Sequence, residues 1–479
     1  MSSEPNVEVR PSEGERGGNL AALGLIQVFR MVSGLAVNVM VMRGLGVERF
    51  GVYGYVMTLV GLASFGSSMG MDRLIKREMA RDESRAGHYV ATGLAASGLL
   101  SLTTGAAILA WAWLVDGRGI VVLASALAAV ALGLQSLALV PVSAFHAIRR
   151  MGLGVRGNLF GRIVLVVATA VFLWQRFGVL AVFSAQILDA FITLAIVWFV
   201  YTRTIGTATL STGTKDVREL IRTSLPFGMN ALFVSIYLSV DVLLLGQVKG
   251  DKDVGVYRGA VMLLSLFPVV ADTLSTGIYP RMARHLGRAD LAGQELRFAS
   301  RILLAVSVPA AVGGMLTAEP LMVFLGGAEF AASAMPFVVM APLLPLRFLN
   351  NGYGMTLSAL DRQQDRTNGA ILAAVVNVGA NLWAIPAYGV MGAAVTTLVT
   401  EVVLAIFMRW RIAPLVTGLG LVVTLVRVGI PAAVMAGMIV LLPPVHVVLT
   451  IAFGVAVYAV GGFVTGAWHP RDLHRLRSV

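Results

Sequence analysis

The sequence predicts an all-α membrane protein with fourteen transmembrane helices. They form two parallel six-helix bundles related by duplication, plus two extra C-terminal helices. Of the 479 residues, 57% are hydrophobic and only 13% are charged, and the mean hydropathy is +0.82. One bilayer crossing needs about 20 mostly apolar residues. The apolar runs are continuous rather than alternating, which disfavours a membrane β-barrel. A water-soluble enzyme and a single-anchor receptor are both excluded.

Apolar runs separated by polar breaks define the fourteen candidate spans. Very short turns near Gly178 and Gly389 predict two tight helical hairpins, between spans 5 and 6 and between spans 11 and 12. The spans are predicted at 20–42, 51–71, 89–115, 119–142, 157–175, 178–202, 224–246, 255–280, 301–325, 333–358, 368–387, 389–410, 418–442 and 445–467.

The distribution of basic residues predicts the orientation in the membrane. With the N-terminus inside, 26 of the 37 Lys and Arg residues fall in cytoplasmic segments and six fall in outer loops. Cytoplasmic loops of membrane proteins carry this excess. We therefore expect a multi-pass protein of the cell membrane with cytoplasmic tails at 1–19 and 468–479. The net charge of +12 belongs to those loops and does not indicate a nucleic-acid partner.

An internal repeat predicts the domain organisation. The tripeptide GVY occurs at 51–53 and again 204 residues later, and the mid-span acids Asp189 and Glu401 are 212 residues apart. Many transporters are built from such repeats, with the substrate site between the halves. The predicted domains are an N-lobe of spans 1–6 at 20–202, a cytoplasmic linker at 203–223, a C-lobe of spans 7–12 at 224–411, and spans 13–14 at 412–467.

The sequence offers little for catalysis or for a bound metal. It contains no cysteine, and its six histidines are scattered without metal-ligand spacing. No Walker, HExxH or nucleophile-elbow motif occurs. We therefore expect no enzyme activity and no cofactor, while coupling to Na⁺ or H⁺ stays open.

Three stretches carry a resemblance to a known family. They are RGLGVERFGVYGYVMTLVGLASFGSSMGMDRLIKRE, SLPFGMNALFVSIYLSVDVLLLGQVKGDKDVGVYRGAVML and LSALDRQQDRTNGAILAAVVNVGANLWAIPAYGVMGAAVTTLVTE. In this order, within roughly residues 20–410, they resemble the polysaccharide-transporter (Wzx-type oligosaccharide flippase) family. That family belongs to the multidrug/oligosaccharidyl-lipid/polysaccharide exporter superfamily.

The resemblance implies a V-shaped pair of bundles that works by alternating access. The implied substrate is a polyprenyl-pyrophosphate-linked oligosaccharide, moved from the inner to the outer leaflet for surface polysaccharide or glycan assembly. A polysaccharide polymerase or glycosyltransferases are the implied partners, besides membrane lipid. Two alternatives stay open on the same fold, a cation-coupled small-molecule exporter and a lipid II flippase. A membrane-embedded glycosyltransferase is disfavoured because the predicted outer loops are short.

Arginines within spans are the candidate ligands for a lipid headgroup, because ionisable residues inside a membrane are functional by default. A guanidinium binds phosphate oxygens in pairs, which suits a pyrophosphate. Arg30 lies near the centre of span 1 with Gln27 one turn earlier, so both face one side. The predicted headgroup ligands are Gln27, Arg30, Arg258 and Arg347, whereas Arg162 is expected to extend to the interface and Arg427 to serve structure.

Each arginine also has a structural alternative, namely a salt bridge to a membrane acid. Asp189 and Glu401 are the buried acids of the two halves, and they could neutralise arginines or titrate. The same option exists for Arg258 with Asp241. The sequence leaves the ligand role and the ion-pair role open for each residue.

A second predicted site could hold a coupling cation. Asp241 on span 7, Asn377 and Asn381 on span 11, and Thr397 on span 12 all carry oxygen ligands. Their spacing is similar to a sodium site in relatives of the lipid II branch, except that Asn381 replaces a carboxylate. The alternative is that the asparagines form ordinary hydrogen bonds between helices.

Overall fold

The computed structural model describes most of the chain. The described residues are 13–82, 86–148, 150–206, 213–265, 267, 271, 278–279, 281–286, 288–416, 418–443 and 445–467. Every regular element in these ranges is a helix. The predicted all-α membrane class is confirmed.

We number fifteen α-helices in chain order. The first half contains α1 Glu13–Ser68, α2 Met71–Arg81, α3 Ala86–Trp111, α4 Gly119–Ala147, α5 Met151–Trp174 and α6 Val179–Thr204. The second half contains α7 Thr214–Val248, α8 Asp251–Leu264, α9 Ala289–Leu316, α10 Ala318–Gly326, α11 Ala334–Met340, α12 Leu343–Ala359 and α13 Gln363–Ile412. The last two are α14 Leu421–Leu441 and α15 Val447–Thr465, and short π and 3₁₀ turns occupy Ala112–Asp116 and Ala328–Ser333.

Two of these helices are long enough to hold two predicted spans each. Helix α1 has 56 residues and breaks at Gly46, and α13 has 50 residues and breaks at Gly389. At 1.5 Å per residue each is about twice the thickness of a bilayer. Spans 1 and 2 therefore lie in α1, and spans 11 and 12 lie in α13. The predicted break near Gly389 is present.

The span count is only partly accounted for. Among the described residues, nine helices are long and apolar enough to cross a membrane, or ten if Ala328–Met340 and Leu343–Ala359, bent by 49°, form one span. Fourteen crossings therefore stay a prediction. Predicted span 10 is divided by that bend, and part of predicted span 8 lies outside the described residues.

The duplication is visible in the backbone. Gly46 has φ 74° and ψ 175°, and Gly250, 204 residues later, has φ 88° and ψ −176°. Glycine adopts a positive φ without a steric penalty. The same turn therefore precedes the second half of α1 and the start of α8.

The hydrophobic core divides the molecule into two ends. At one end, which we call the closed end (residues 43–55, 111–118, 247–255 and 324–329), both halves contribute to one continuous core. At the other end, which we call the basic end, each half has a core of its own, except that the start of α7 packs into the N-lobe core through Leu220. The N-lobe core contains Met71 and Tyr201, and the C-lobe core contains Leu296 and Met408. The lobes are thus joined at the closed end and separate toward the basic end.

Candidate functional site

A cavity of about 480 Å³ lies within the N-lobe. Helices α1, α2, α4, α5 and α6 surround it. Its lining carries three cationic side chains, Arg30, Lys76 and Arg162, and one carboxylate, Asp189. Positive charge therefore predominates in this cavity, which is the condition for binding an anionic group inside a membrane.

The two arginines of this cavity are held differently. Arg162 Nη1 lies 4.0 Å from Asp189 Oδ2, and Thr193 Oγ1 lies 3.4 Å from the same carboxylate. Among the described residues, no carboxylate oxygen lies within 4 Å of the Arg30 guanidinium. Arg30 thus presents an unpaired positive charge to the cavity, and the predicted alternative of an Arg30–Asp189 ion pair is not formed.

Neutral polar groups complete the N-lobe cavity. Ser136 Oγ donates to Ser67 Oγ at 2.8 Å and connects α4 with α1. Gln135, Asn158 and Ser64 also face the cavity. Hydroxyl and amide groups next to arginines bind phosphate oxygens or sugar hydroxyls by hydrogen bonds.

A second cavity of about 390 Å³ lies in the C-lobe. Arg347 Nε lies 3.5 Å from Glu401 Oε2, and Asn350 Nδ2 donates to Glu401 Oε1 at 3.0 Å. Tyr237 and Arg366 line the same space. The Glu401 carboxylate is thus held by two partners on α12.

The two cavities are related by the repeat. Asp189 and Glu401 are the equivalent acids predicted from their spacing, and each pairs with an arginine of its own lobe. The arginines themselves are not equivalent, since Arg162 belongs to α5 and Arg347 to α12. Both halves have an acid at the equivalent position, but the arginine that pairs with it comes from a different helix in each half.

The predicted cation residues form two hydrogen-bonded groups. In the first, the Tyr257 hydroxyl bonds to Asp241 Oδ2 and lies 3.1 Å from Thr397 Oγ1. In the second, Asn381 Nδ2 donates to Asn377 Oδ1 at 3.0 Å. All five side chains are buried. Their oxygens already accept hydrogen bonds from the protein, so a bound cation would have to replace some of these bonds.

The structure does not bring the four predicted headgroup ligands together. Arg30 lines the N-lobe cavity and Arg347 lines the C-lobe cavity, whereas Arg258 packs beside Gly54 at the junction of the lobes and lines neither. Among the described residues, Arg258 forms no ion pair, so the alternative pair with Asp241 is not formed. The side chain of Gln27 lies outside the described part of the chain.

Two contributing residues were missed at the level of sequence. Arg162 faces the N-lobe cavity instead of extending to the interface. A signal existed, since Arg162 and Asp189 lie at similar depths on neighbouring spans. Tyr257 joins the Asp241 group, and only its position in the repeated GVY tripeptide set it apart.

A multi-pass helical protein with duplicated halves and charged cavities within them belongs to the class of membrane transporters. The model of the family described as "Polysaccharide biosynthesis protein" matches residues 17–286, and the MatE model matches residues 226–383. The first match covers more than half of the chain. The chain therefore belongs to the polysaccharide biosynthesis protein family, within the multidrug/oligosaccharidyl-lipid/polysaccharide exporter superfamily.

Individual relatives agree with this family. The chain is 22% identical over 365 residues to the probable low-salt glycan biosynthesis flippase Agl15 of Haloferax volcanii, and the match covers 74% of each chain. Its fold is similar to the lipid II flippase MurJ in an inward closed conformation, with TM-score 0.77, 13% identity and coverage of 92% and 97%. It is also similar to an inward-facing multidrug resistance MATE family transporter, with TM-score 0.65, 18% identity and coverage of 80% and 94%.

Proposed function

We propose that this protein is a flippase that moves a polyprenyl-pyrophosphate-linked oligosaccharide from the inner to the outer leaflet. The observation that carries the proposal is the N-lobe cavity, where Arg30 and Arg162 face one carboxylate, Asp189. A pyrophosphate entering hydrocarbon needs positive charge and hydrogen-bond donors. The family and the glycan flippase of Haloferax volcanii support the glycan part of the substrate.

The proposed orientation places the closed end at the outer face of the cell membrane. The basic end carries α2 and the first turns of α7, and these segments are rich in Lys and Arg. Basic loops stay in the cytoplasm. In this orientation both termini are cytoplasmic, and the two cavities lie on the cytoplasmic side of the shared core, where they would receive a substrate from the inner leaflet.

The membrane potential can drive the proposed reaction. One elementary charge moved through 100 mV is worth about 2.3 kcal/mol. A headgroup with two negative charges that leaves a negative cytoplasm gains roughly twice that amount. An anionic substrate therefore needs no coupling ion, whereas a cationic drug does.

Coupling to Na⁺ or H⁺ is a second proposal, supported by the buried Asp241. Its carboxylate lies 3.4 Å from the Thr397 hydroxyl, and Asn377 and Asn381 form a second buried polar pair on α13. If a cation binds there, Asp241→Asn abolishes the dependence of transport on that cation. The predicted cation-coupled exporter rests on the same residues, and dye efflux that follows a cation gradient is its test.

The first experiment is a flip assay in proteoliposomes with an imposed inside-negative potential. The substrate is a fluorescent polyprenyl-pyrophosphate-linked oligosaccharide, and lipid II is run in parallel. We expect potential-dependent movement, reduced at least about tenfold by Arg30→Ala, the effect of losing one strong phosphate contact.

Arg427→Ala is the matched control, because Arg427 is another membrane arginine but lines neither cavity. It should leave movement unchanged. Equal losses in both variants would refute the headgroup role of Arg30. Movement of lipid II alone would assign the chain to that alternative.

A further inference from the structure

The two halves meet at the closed end through glycines of the repeated tripeptide. A β-carbon on Gly51 of α1 would overlap the Asp251 carbonyl oxygen, and one on Gly255 of α8 would overlap the Val47 carbonyl oxygen. The helix backbones therefore touch directly at this point. Small residues allow such close approach between membrane helices.

This contact has two-fold symmetry. Val47 and Asp251 are equivalent positions of the repeat, 204 residues apart, and so are Gly51 and Gly255. In a two-fold interface each contact occurs twice with the partners exchanged. Gly51 on Asp251 and Gly255 on Val47 satisfy that rule. The repeated GVY tripeptide thus marks the local symmetry axis between the lobes.

A polar contact crosses the axis on one side. Arg118, between α3 and α4 of the N-lobe, donates to both carboxylate oxygens of Asp116 at 2.8 and 2.7 Å. Its third nitrogen pairs with Asp251, the first residue of α8 in the C-lobe. We call this group the Arg118 latch. The hydrogen bonds that Arg118 donates to Asp116 raise the pKa of Arg118, so this cation stays charged.

A second polar contact crosses the axis on the other side. Glu329, in the 3₁₀ turn between α10 and α11 of the C-lobe, accepts a hydrogen bond from the Val47 amide at 3.0 Å. Val47 follows the turn at Gly46 and is the first residue of the second half of α1. A carboxylate at a helix N-terminus binds a free amide and the positive end of the helix dipole. We call this contact the Glu329 latch.

The two latches are equivalent in the repeat. Arg118 and Glu329 are 211 residues apart, which is the spacing of the turns at Gly178 and Gly389. Each group comes from the loop between the third and fourth spans of its own half. Each reaches the first residue of the second-span helix in the other half. The halves therefore hold each other by crossed contacts.

We propose that these crossed latches are the gate of the closed end, and that both must release before the lobes can separate there. The inference rests on the proposed function in one respect, since a flippase has to open at the exit side. The polar contacts of the two latches can exchange for water as the gate opens, because Arg118 and Glu329 are not fully buried. At the glycine contact itself the backbones meet without intervening side chains, so this point adds no interlocked side chains to the shared core.

The test uses the absence of cysteine from the sequence. Val254→Cys places a thiol at a fully buried position beside Gly246, where the Tyr55 ring of the N-lobe packs. Ser64→Cys places another thiol in the N-lobe cavity. The rate of maleimide labelling is measured for each in lipid nanodiscs, with Arg118→Gln, Glu329→Ala or both, because a glutamine at 329 would keep an acceptor for the Val47 amide.

In each single latch variant, we expect maleimide to label Val254→Cys about fivefold faster than when both latches are intact. This is the effect of losing one partly exposed polar contact. The double variant should label about 25-fold faster, since separate contacts add in free energy. Labelling of Ser64→Cys should fall, because lobes that separate at the closed end approach each other at the basic end. Arg118→Lys keeps a positive charge but not the paired hydrogen bonds to Asp116, so its rate should lie between those of the unmodified latch and Arg118→Gln.

Arg49→Gln is the matched control, since Arg49 is exposed at the same end and, among the described residues, its side chain forms no ion pair. It should change neither rate. Unchanged labelling of Val254→Cys in the double variant overturns the proposal, and so does faster labelling at both reporters, which indicates loosening of the fold. No substrate is needed, so a failed flip assay with these labelling results would refute the flippase and leave the gate standing.

Discussion

At the scale of the residue, Glu401 and Asp189 are equivalent acids with unequal surroundings. Glu401 accepts a hydrogen bond from Asn350 and pairs with Arg347 at 3.5 Å. Asp189 lies 4.0 Å from Arg162, and the two arginine side chains are similarly exposed, 31% for Arg162 and 26% for Arg347. Breaking the closer, hydrogen-bonded pair leaves an uncompensated charge beside a buried amide, whereas the longer pair contributes less.

These surroundings predict unequal effects of neutralising the two acids. Glu401→Gln should lower the free energy of unfolding by about 3 kcal/mol because it leaves Arg347 unpaired in the lobe. Asp189→Asn should cost about 1 kcal/mol because its contact with Arg162 is longer, at 4.0 Å, and the arginine is partly exposed. Denaturation of both purified variants in detergent measures the difference. Equal losses would contradict the arrangement of these pairs.

The sequence predicts the depth of a candidate site residue but not the direction of its side chain. Position along a span gives the depth of a side chain, and the depths of Arg30 and Arg347 suited a cavity. Depth does not give direction around the helix axis, which decides whether a residue faces a cavity, lipid or another helix. The locations of Arg162 and Arg258 could not be predicted for this reason, since one faces the N-lobe cavity and the other packs at the lobe junction.

At the scale of the element, the contact between α1 and α8 needs glycine. Gly51→Ala would push its methyl group into the Asp251 carbonyl, so the helices must separate. We expect fast labelling of Val254→Cys in this variant. Gly61→Ala on the same helix is the control, because no heavy atom lies within 4 Å of the added carbon. Slow labelling in Gly51→Ala would argue against direct backbone contact.

The Arg118 latch predicts a pH dependence of the closed end. Burial raises the pKa of the Asp251 carboxyl, although Arg118 opposes the shift, and Asp116 and Glu48 add repulsion. Opening exposes the carboxyl and returns its pKa toward the ordinary value of about 3.9. Protons therefore bind better to the closed state. Its extra stability is present at low pH and is lost as the pH rises through the raised pKa.

Spin-label distances between Arg49→Cys and Lys252→Cys, which lie in different lobes at this end, measure that dependence. Acidification should increase the population with the short distance. Asp251→Asn should abolish the change. A short-distance population that grows as the pH rises would contradict the burial of Asp251.

Helix boundaries were predicted where glycine or charge interrupts an apolar run. The breaks at Gly46 and Gly389 and the separate α5 and α6 follow such signals. The bend between α11 and α12 was missed because 333–358 was read as one span, although Pro342 and Pro345 lie at the bend. Helix α2 was treated as a basic loop, yet its buried Met71 and Ile75 anchor it to the N-lobe core.

At the scale of the whole molecule, the distribution of cores defines the conformation. One core spans both lobes at the closed end, and each lobe has a separate core at the basic end. The duplication was predicted from the repeat, because equivalent positions keep their residue types. The degree of separation between the lobes was not predicted, because alternating access requires two arrangements of nearly equal free energy from the same sequence.

The most direct measurement is glycolipid movement in proteoliposomes with the closed end locked. Arg118→Cys and Asp251→Cys are joined by a reducible thiol cross-linker, and transbilayer movement of a polyprenyl-pyrophosphate-linked oligosaccharide is followed. We predict movement before cross-linking, none while the linker is intact, and recovery after reduction. Movement that continues at full rate with the linker intact, or no movement of the glycolipid in any state, would contradict a flippase that works by opening this gate.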